Sequence, residues 1–151
     1  MRRHKMINIR ELRIGDIITK ENKYEGYKYS TVEGIDDISG TIRHREVYED
    51  GGNQMAISSY EDMLPFPLSI ELLEANGWQK SLDEVNVLYV DFEYITIGLR
   101  PPVLLNNTFC PILFQDSSKK IRDAVFMYEI ESVHELQALL DMWKVRIKIK
   151  P

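Results

Sequence analysis

In the first part of the chain, apolar and polar side chains alternate over short stretches that turn residues keep interrupting. Ile7, Ile9, Leu12, Ile14, Ile17 and Ile18 form a largely β-branched run broken by Gly15-Asp16, a pair that bends the chain into a predicted strand from Ile17 to about Lys20. The polar stretch from Glu21 to Tyr29, with Gly26 among Tyr24, Tyr27 and Tyr29, reads as a hairpin or arched loop. Alternation resumes weakly through Val32 and Ile35, stops at Ser39-Gly40, and returns from Thr41 to Tyr48 through Ile42 and Val47. Asp50-Gly51-Gly52-Asn53 is a strong turn signal, after which Met55 and Ile57 mark a last short strand. Several short strands without any segment of helical period predict an SH3-like antiparallel β-barrel over residues 7–66, preceded by a flexible tail at residues 1–6.

The pattern changes at Pro65-Phe66-Pro67. Proline fixes its own φ and drives the residue before it out of the α region, so no helix can run in from upstream. A short helix is predicted to start after Ser69, whose hydroxyl suits an N-cap, and to stop at Asn76-Gly77. Val85 to Ile97 is the most strand-like stretch that follows. Residues 98–114 are apolar but carry Pro101, Pro102 and Pro111, which predicts an irregular flap. Asp116 to Lys120 is a turn, and Ala124 to Ile130 a strand. Ser132-Val133-His134-Glu135 is a capping box, and Leu136, Leu139, Leu140 and Trp143 recur at helical spacing behind it. Val145, Ile147 and Ile149 then alternate with Lys144, Arg146, Lys148 and Lys150, predicting an edge strand paired with the 85–97 or 124–130 region. Residues 67–151 thus read as an α+β part, a small antiparallel sheet with two short helices, in one compact unit with the barrel.

Composition narrows the function classes. The 151 residues are 44% hydrophobic and 28% charged, which suits a folded chain with a real core. A net charge of −5, with a slight acidic excess on both sides of Leu64, argues against nucleic-acid binding by bulk electrostatics. The single cysteine, Cys110, forms neither an internal disulfide nor a Cys-based zinc site. No apolar run is long enough for a membrane span, so a cytoplasmic setting without membrane contact is expected.

Three islands carry a resemblance. Ile9-Arg10-Glu11-Leu12-Arg13-Ile14-Gly15-Asp16-Ile17, the Pro-Leu-x-x-x-Leu-Leu-x-x-x-Gly-aromatic segment from Pro67 to Trp78, and Val133-His134-Glu135-Leu136-Gln137 are similar, in order and spacing, to an uncharacterised family of small proteins. That family occurs in the genomes, prophages and mobile elements of gut anaerobic bacteria. The resemblance implies an architecture and a mobile-element setting. It transfers no catalytic residue, and the chain departs from the family where Trp143 leads directly into Lys144-Val145-Arg146 rather than through a glycine-bearing turn.

No catalytic, metal or cofactor site is expected. His4, His44 and His134 share no metal-ligand spacing, and His134, at the second helical position, suits packing or capping. Asp91 and Glu93, two apart, have the spacing of a two-carboxylate metal site on one strand face, but their alternation with Tyr, Phe and Ile favours a solvated face. Cys110, between Phe109 and Pro111, reads as a small apolar residue. Nucleophile elbows, phosphate loops and dinucleotide fingerprints are absent from the sequence. The candidate ligand-binding residues are Tyr24, Tyr27 and Tyr29, on the first long loop of the barrel, with Arg43, His44 and Arg45 beside them. Stacking on the rings and pairing with the cations would suit a base or a phosphate, whereas packing at a barrel rim would leave them structural. The expectation is a non-enzymatic binding or accessory protein with a protein partner, monomeric or weakly homodimeric. Nucleic-acid or small-nucleotide binding is the first alternative, and an enzyme without a recognisable motif the second.

Overall fold

The computed structural model describes residues 7–80, 87–93, 95–100, 108–114, 124–126 and 129–151. The expected tail at residues 1–6 and the turn at residues 116–120 lie outside the described residues. The chain divides into two compact units. The first runs through Pro67 and includes Ser132–Ala138 and Pro151; the second holds Leu68–Glu131 and Leu139–Lys150. The class is α+β, mostly strands in two antiparallel sheets.

The first unit is built on β1 (Ile17–Lys20), β2 (Tyr27–Asp36), β3 (Thr41–Tyr48), β4 (Asn53–Ser59) and β5 (Met63–Pro65), with a 3-10 turn over Tyr60–Asp62 before β5. They hydrogen-bond in the order β4-β3-β2-β1-β5, an antiparallel meander, and no ladder among the described residues joins β4 to β5. No closed barrel is found among the described residues. Two irregularities bend β2 against β3, between Tyr27 and Tyr29 and between Val32 and Gly34, each inserting one residue. The inner face gathers Ile18, Val32, Ile42 and Met63 with Ile7 and Leu12 in one apolar cluster, and Ile9, Ile35 and Tyr60 pack on it. Asp16 is buried and its Oδ2 accepts from the Arg13 N–H at 2.8 Å, which holds the turn at Gly15 (φ 93°) that the sequence predicted. The same unit ties Ser132 to Pro67 by an isolated antiparallel bridge, with Val133 N–H donating to Phe66 C=O at 2.8 Å.

In the second unit, α1 (Ile70–Ala75) starts where its cap requires, with Ser69 Oγ accepting from Leu72 N–H at 3.1 Å, and ends at Asn76 ahead of Gly77 (φ 89°). The sheet has order β10-β9-β8-β7-β6: β6 (Gln79–Lys80), β7 (Leu88–Phe92), β8 (Ile95–Arg100), β9 (Cys110–Phe114) and β10 (Ala124–Phe126). Its buried side chains include Leu88, Ile97, Leu99 and Ile112, and Leu73 of α1 and Trp78 are buried as well.

Two expectations are corrected here, and the closing segment is reported beside them. The stretch read as one strand from residue 85 to 97 is a hairpin, because Glu93 takes a left-handed φ of 53° and reverses the chain between β7 and β8. The region read as an irregular flap contains β9. Pro111 pairs with Leu99 in register, and the assigned β9–β10 register ends at Ile112↔Phe126, so that ladder asks no N–H of the proline. The closing segment after α2 (Val133–Met142) is assigned to neither sheet among the described residues. Its side chains do alternate as expected, with Val145 and Ile149 buried. Lys150 is held by Asn76, whose Oδ1 accepts from Lys150 N–H at 2.8 Å and whose Nδ2 donates to Lys150 C=O at 2.9 Å.

Candidate binding surface

The strand period places the six sequence-nominated residues on different sides of the first sheet. His44 pairs with Val32 and faces inward with Ile42, Glu46 and Ser30. Arg43, opposite Gly34, and Arg45, opposite Thr31, face outward. Tyr27 is buried; Tyr29, two residues on, is half-buried opposite Val47. Tyr24 is 67% exposed on the loop before β2. The residues do not form one groove.

Inward, a polar strip adjoins the apolar cluster. Tyr27 OH and Ser30 Oγ share a hydrogen bond of 2.7 Å, His44 Nδ1 meets Ser30 Oγ at 3.0 Å, and His44 Nε2 meets Ser58 Oγ at 2.9 Å. Both ring nitrogens are engaged by hydroxyls, which donate or accept as the neutral imidazole requires. Burial holds His44 below its ordinary pKa; Glu46 opposes the shift and Lys20 assists it. Lys20 also forms an ion pair with Glu46, and its ammonium lies 5.0 Å from the centre of the Tyr24 ring and 5.7 Å from that of Tyr27. Burial alone would raise the Glu46 carboxyl, but Lys20 and the Gln54 amide, 3.0 Å from Oε1, outweigh it and bring its pKa below the usual value. Tyr27 is pushed upward by burial, against its bond to Ser30. A serine hydroxyl touching a histidine superficially resembles a nucleophile and its base. Here the second nitrogen meets Ser30 rather than a carboxylate, and the imidazole is fully buried, so the strip fastens β2, β3 and β4 together.

Outward, the arginines are already engaged. Glu33, the extra residue of the second bulge, ion-pairs through its carboxylate with Arg45 Nε at 2.8 Å and accepts through its carbonyl from Arg43 Nη2 at 3.3 Å, and Arg45 Nη1 also donates to Asn53 Oδ1 at 3.0 Å. Arg43 lies flat because Gly34 lacks a side chain: a Cβ there would stand 3.3 Å from the guanidinium. Beside it opens a shallow groove lined by Gly34, Ile35, Asp36, Thr41, Arg43 and Ile57. No protein-family model, curated protein or solved structure matches this chain. Function therefore has to be read from surfaces such as this one. Among the described residues no group of His, Cys, Asp and Glu is placed to hold a metal, and Glu93 lies in the hairpin turn rather than beside Asp91 on a strand face. No helix among them is long and apolar enough to cross a membrane. His134 is buried, its Nδ1 3.2 Å from Ser132 Oγ, the hydroxyl that also meets the Glu135 backbone and side chain.

The last short strand of the first unit, expected through Met55 and Ile57, is β4, but its unprotected outer edge was not expected. Met55 is 52% and Ile57 64% exposed, both on the outer face opposite Arg45 and Arg43, and Ile38 at the β2–β3 hairpin tip is 96% exposed. The parity of the β3–β4 ladder follows from its ends, where Tyr48 N–H donates to Gly52 C=O and Tyr60 N–H to Gly40 C=O. Gln54, Ala56 and Ser58 consequently bond to β3, while Asn53, Met55, Ile57 and Ser59 point their backbone groups away from it. The missed signal was compositional, since Asn53 to Ser59 holds no charge and no proline, the residues that ordinarily protect a sheet edge.

Proposed function

We propose that the chain is a non-enzymatic binding protein, in the mobile-element setting its resemblance implies, which takes an extended protein segment onto the open edge of β4. One observation carries the reading: among the described residues β4 pairs with β3 alone, it carries no charge, and its Met55 and Ile57 are exposed. Strand addition draws affinity from main-chain hydrogen bonds and selectivity from the side chains that alternate beside them. The groove beside Ile57, lined also by Ile35 and Arg43, offers contact to a side chain of such a segment. An SH3-like barrel is the finer description we favour for this unit; the order β4-β3-β2-β1-β5 and the 3-10 turn before β5 support it.

Ile57→Pro separates the edge from the rest of the fold. It removes an outward N–H while leaving the β3 ladder its bonds, because proline is tolerated where a strand's N–H faces solvent. Random peptides displayed on phage and selected against the chain immobilised at low density are expected to include extended binders whose Kd rises at least about tenfold on the variant. A selection that enriches none, or binders indifferent to Ile57→Pro, would overturn the proposal.

A further inference from the structure

We infer that the segment received by β4 is the β4 strand of a second copy of this chain, paired antiparallel about a two-fold axis at Ala56; this rests on the edge-binding reading above. Three observations converge. First, the ladder parity leaves Asn53, Met55, Ile57 and Ser59 with outward backbone groups, so a partner strand must bond to these positions. In an antiparallel self-pairing that rule permits odd-numbered residues to face odd-numbered ones only. Of the registers that obey it, the one centred on Ala56 engages the whole strand from Asn53 to Ser59, whereas shifting the centre to Met55 or Ile57 leaves residues at one end without partners.

Second, the same register matches side chains. Met55 of one copy lies opposite Ile57 of the other, twice over, on the outer face where both are exposed in the single chain. An isologous interface brings each residue's surroundings into contact with their own copy, and this patch is apolar to apolar. Third, charge does not oppose it. A two-fold axis sets like charges against each other, and β4 carries none. The closest arginines, Arg43 and Arg45 on β3, are met by the Glu33 carbonyl and carboxylate on their own strand pair, which mutes repulsion between the copies. A heterologous partner would need neither the charge-free strand nor the central register.

Two variants test this on the full chain. Analytical ultracentrifugation from about 1 to 500 µM should show a concentration-dependent dimer, and Ile57→Pro should raise the dimer Kd at least about tenfold with its circular dichroism unchanged. In a Cys110→Ser background, Ala56→Cys should form a disulfide-linked dimer on mild oxidation. Ala56 faces its own copy as a non-hydrogen-bonded pair, the closer-spaced class, whereas Gln54→Cys, which faces Ser58 of the other copy, should not cross-link to itself. A chain that stays monomeric throughout, with no Ala56→Cys cross-link, would overturn self-pairing while leaving peptide capture by β4 standing. A dimer that survives Ile57→Pro and fails to cross-link through Ala56→Cys would place the interface elsewhere and count against both proposals.

Discussion

Replacing His44 by glutamine should abolish a pH dependence of stability that the buried strip confers. The imidazole is fully buried and hydrogen-bonded to Ser30 and Ser58, and burial holds its folded pKa below the ordinary value of 6.5. Between the lowered folded value and 6.5 the unfolded chain binds more protons than the folded one, so stability rises with pH across that window and falls as pH drops through it. One proton is worth at most about 1.4 kcal/mol per pH unit, so lowering the pH from 6.5 to 5.5 should cost the native chain up to about that amount through His44 alone. His44→Gln keeps a polar side chain but not the titration. It should lose about 1–3 kcal/mol at pH 7.5, because the two-sided bonding of the ring to Ser30 and Ser58 is lost, and then show a shallower slope on acidification. Urea titrations at pH 7.5, 6.5 and 5.5 followed by far-ultraviolet circular dichroism, which reports the strands of the unit that holds His44, would give both quantities. Glu46 titrates in the same direction but lower, since its own depressed pKa removes stability only as pH falls below about 4.5. Equal slopes for the two proteins between pH 5.5 and 6.5 would refute the argument that His44 is held neutral by its surroundings.

Removing Lys144–Pro151 should destabilise the chain by about 4–9 kcal/mol, from burial of Val145 and Ile149 and the two bonds between Asn76 and Lys150, a loss comparable to the whole stability of a domain this size. A truncated chain with an unchanged thermal midpoint would contradict this. Ser69→Ala should cost about 1 kcal/mol by leaving the Leu72 N–H without its cap, measured by urea denaturation; a change under about 0.3 kcal/mol would show the cap to be dispensable.

What was legible in the sequence was local. Both helices announced themselves through side chains that bond within one turn: Ser69 to Leu72, and Ser132 to Glu135. The strands themselves were legible from their turns, but the inner face of β3 was only half read: Ile42 lies inward while Val47 lies on the outer face, and the other inward positions are the polar His44 and Glu46. Longer-range features were hidden. The β7–β8 reversal uses a non-glycine residue, Glu93, in a left-handed conformation, so no turn dipeptide marks it. Asn76 meets Lys150 across a separation of 74 residues, and His44 meets Ser30 and Ser58 across 14 each, distances over which a single sequence carries no pairing signal. The binding candidates suffered most, since adjacency in sequence put Arg43, His44 and Arg45 together while the pleat sent the middle one inward.

The first unit is discontinuous along the chain, its first segment ending at Pro67 and its next beginning at Ser132. On a ribosome making about 5–20 residues per second, that gap of roughly 65 residues delays completion by several seconds. During that interval β4 has emerged with its unprotected edge, while the residues that bridge to Pro67 do not yet exist. Vectorial synthesis therefore exposes β4, the edge proposed above to take a partner strand, before its own unit is complete.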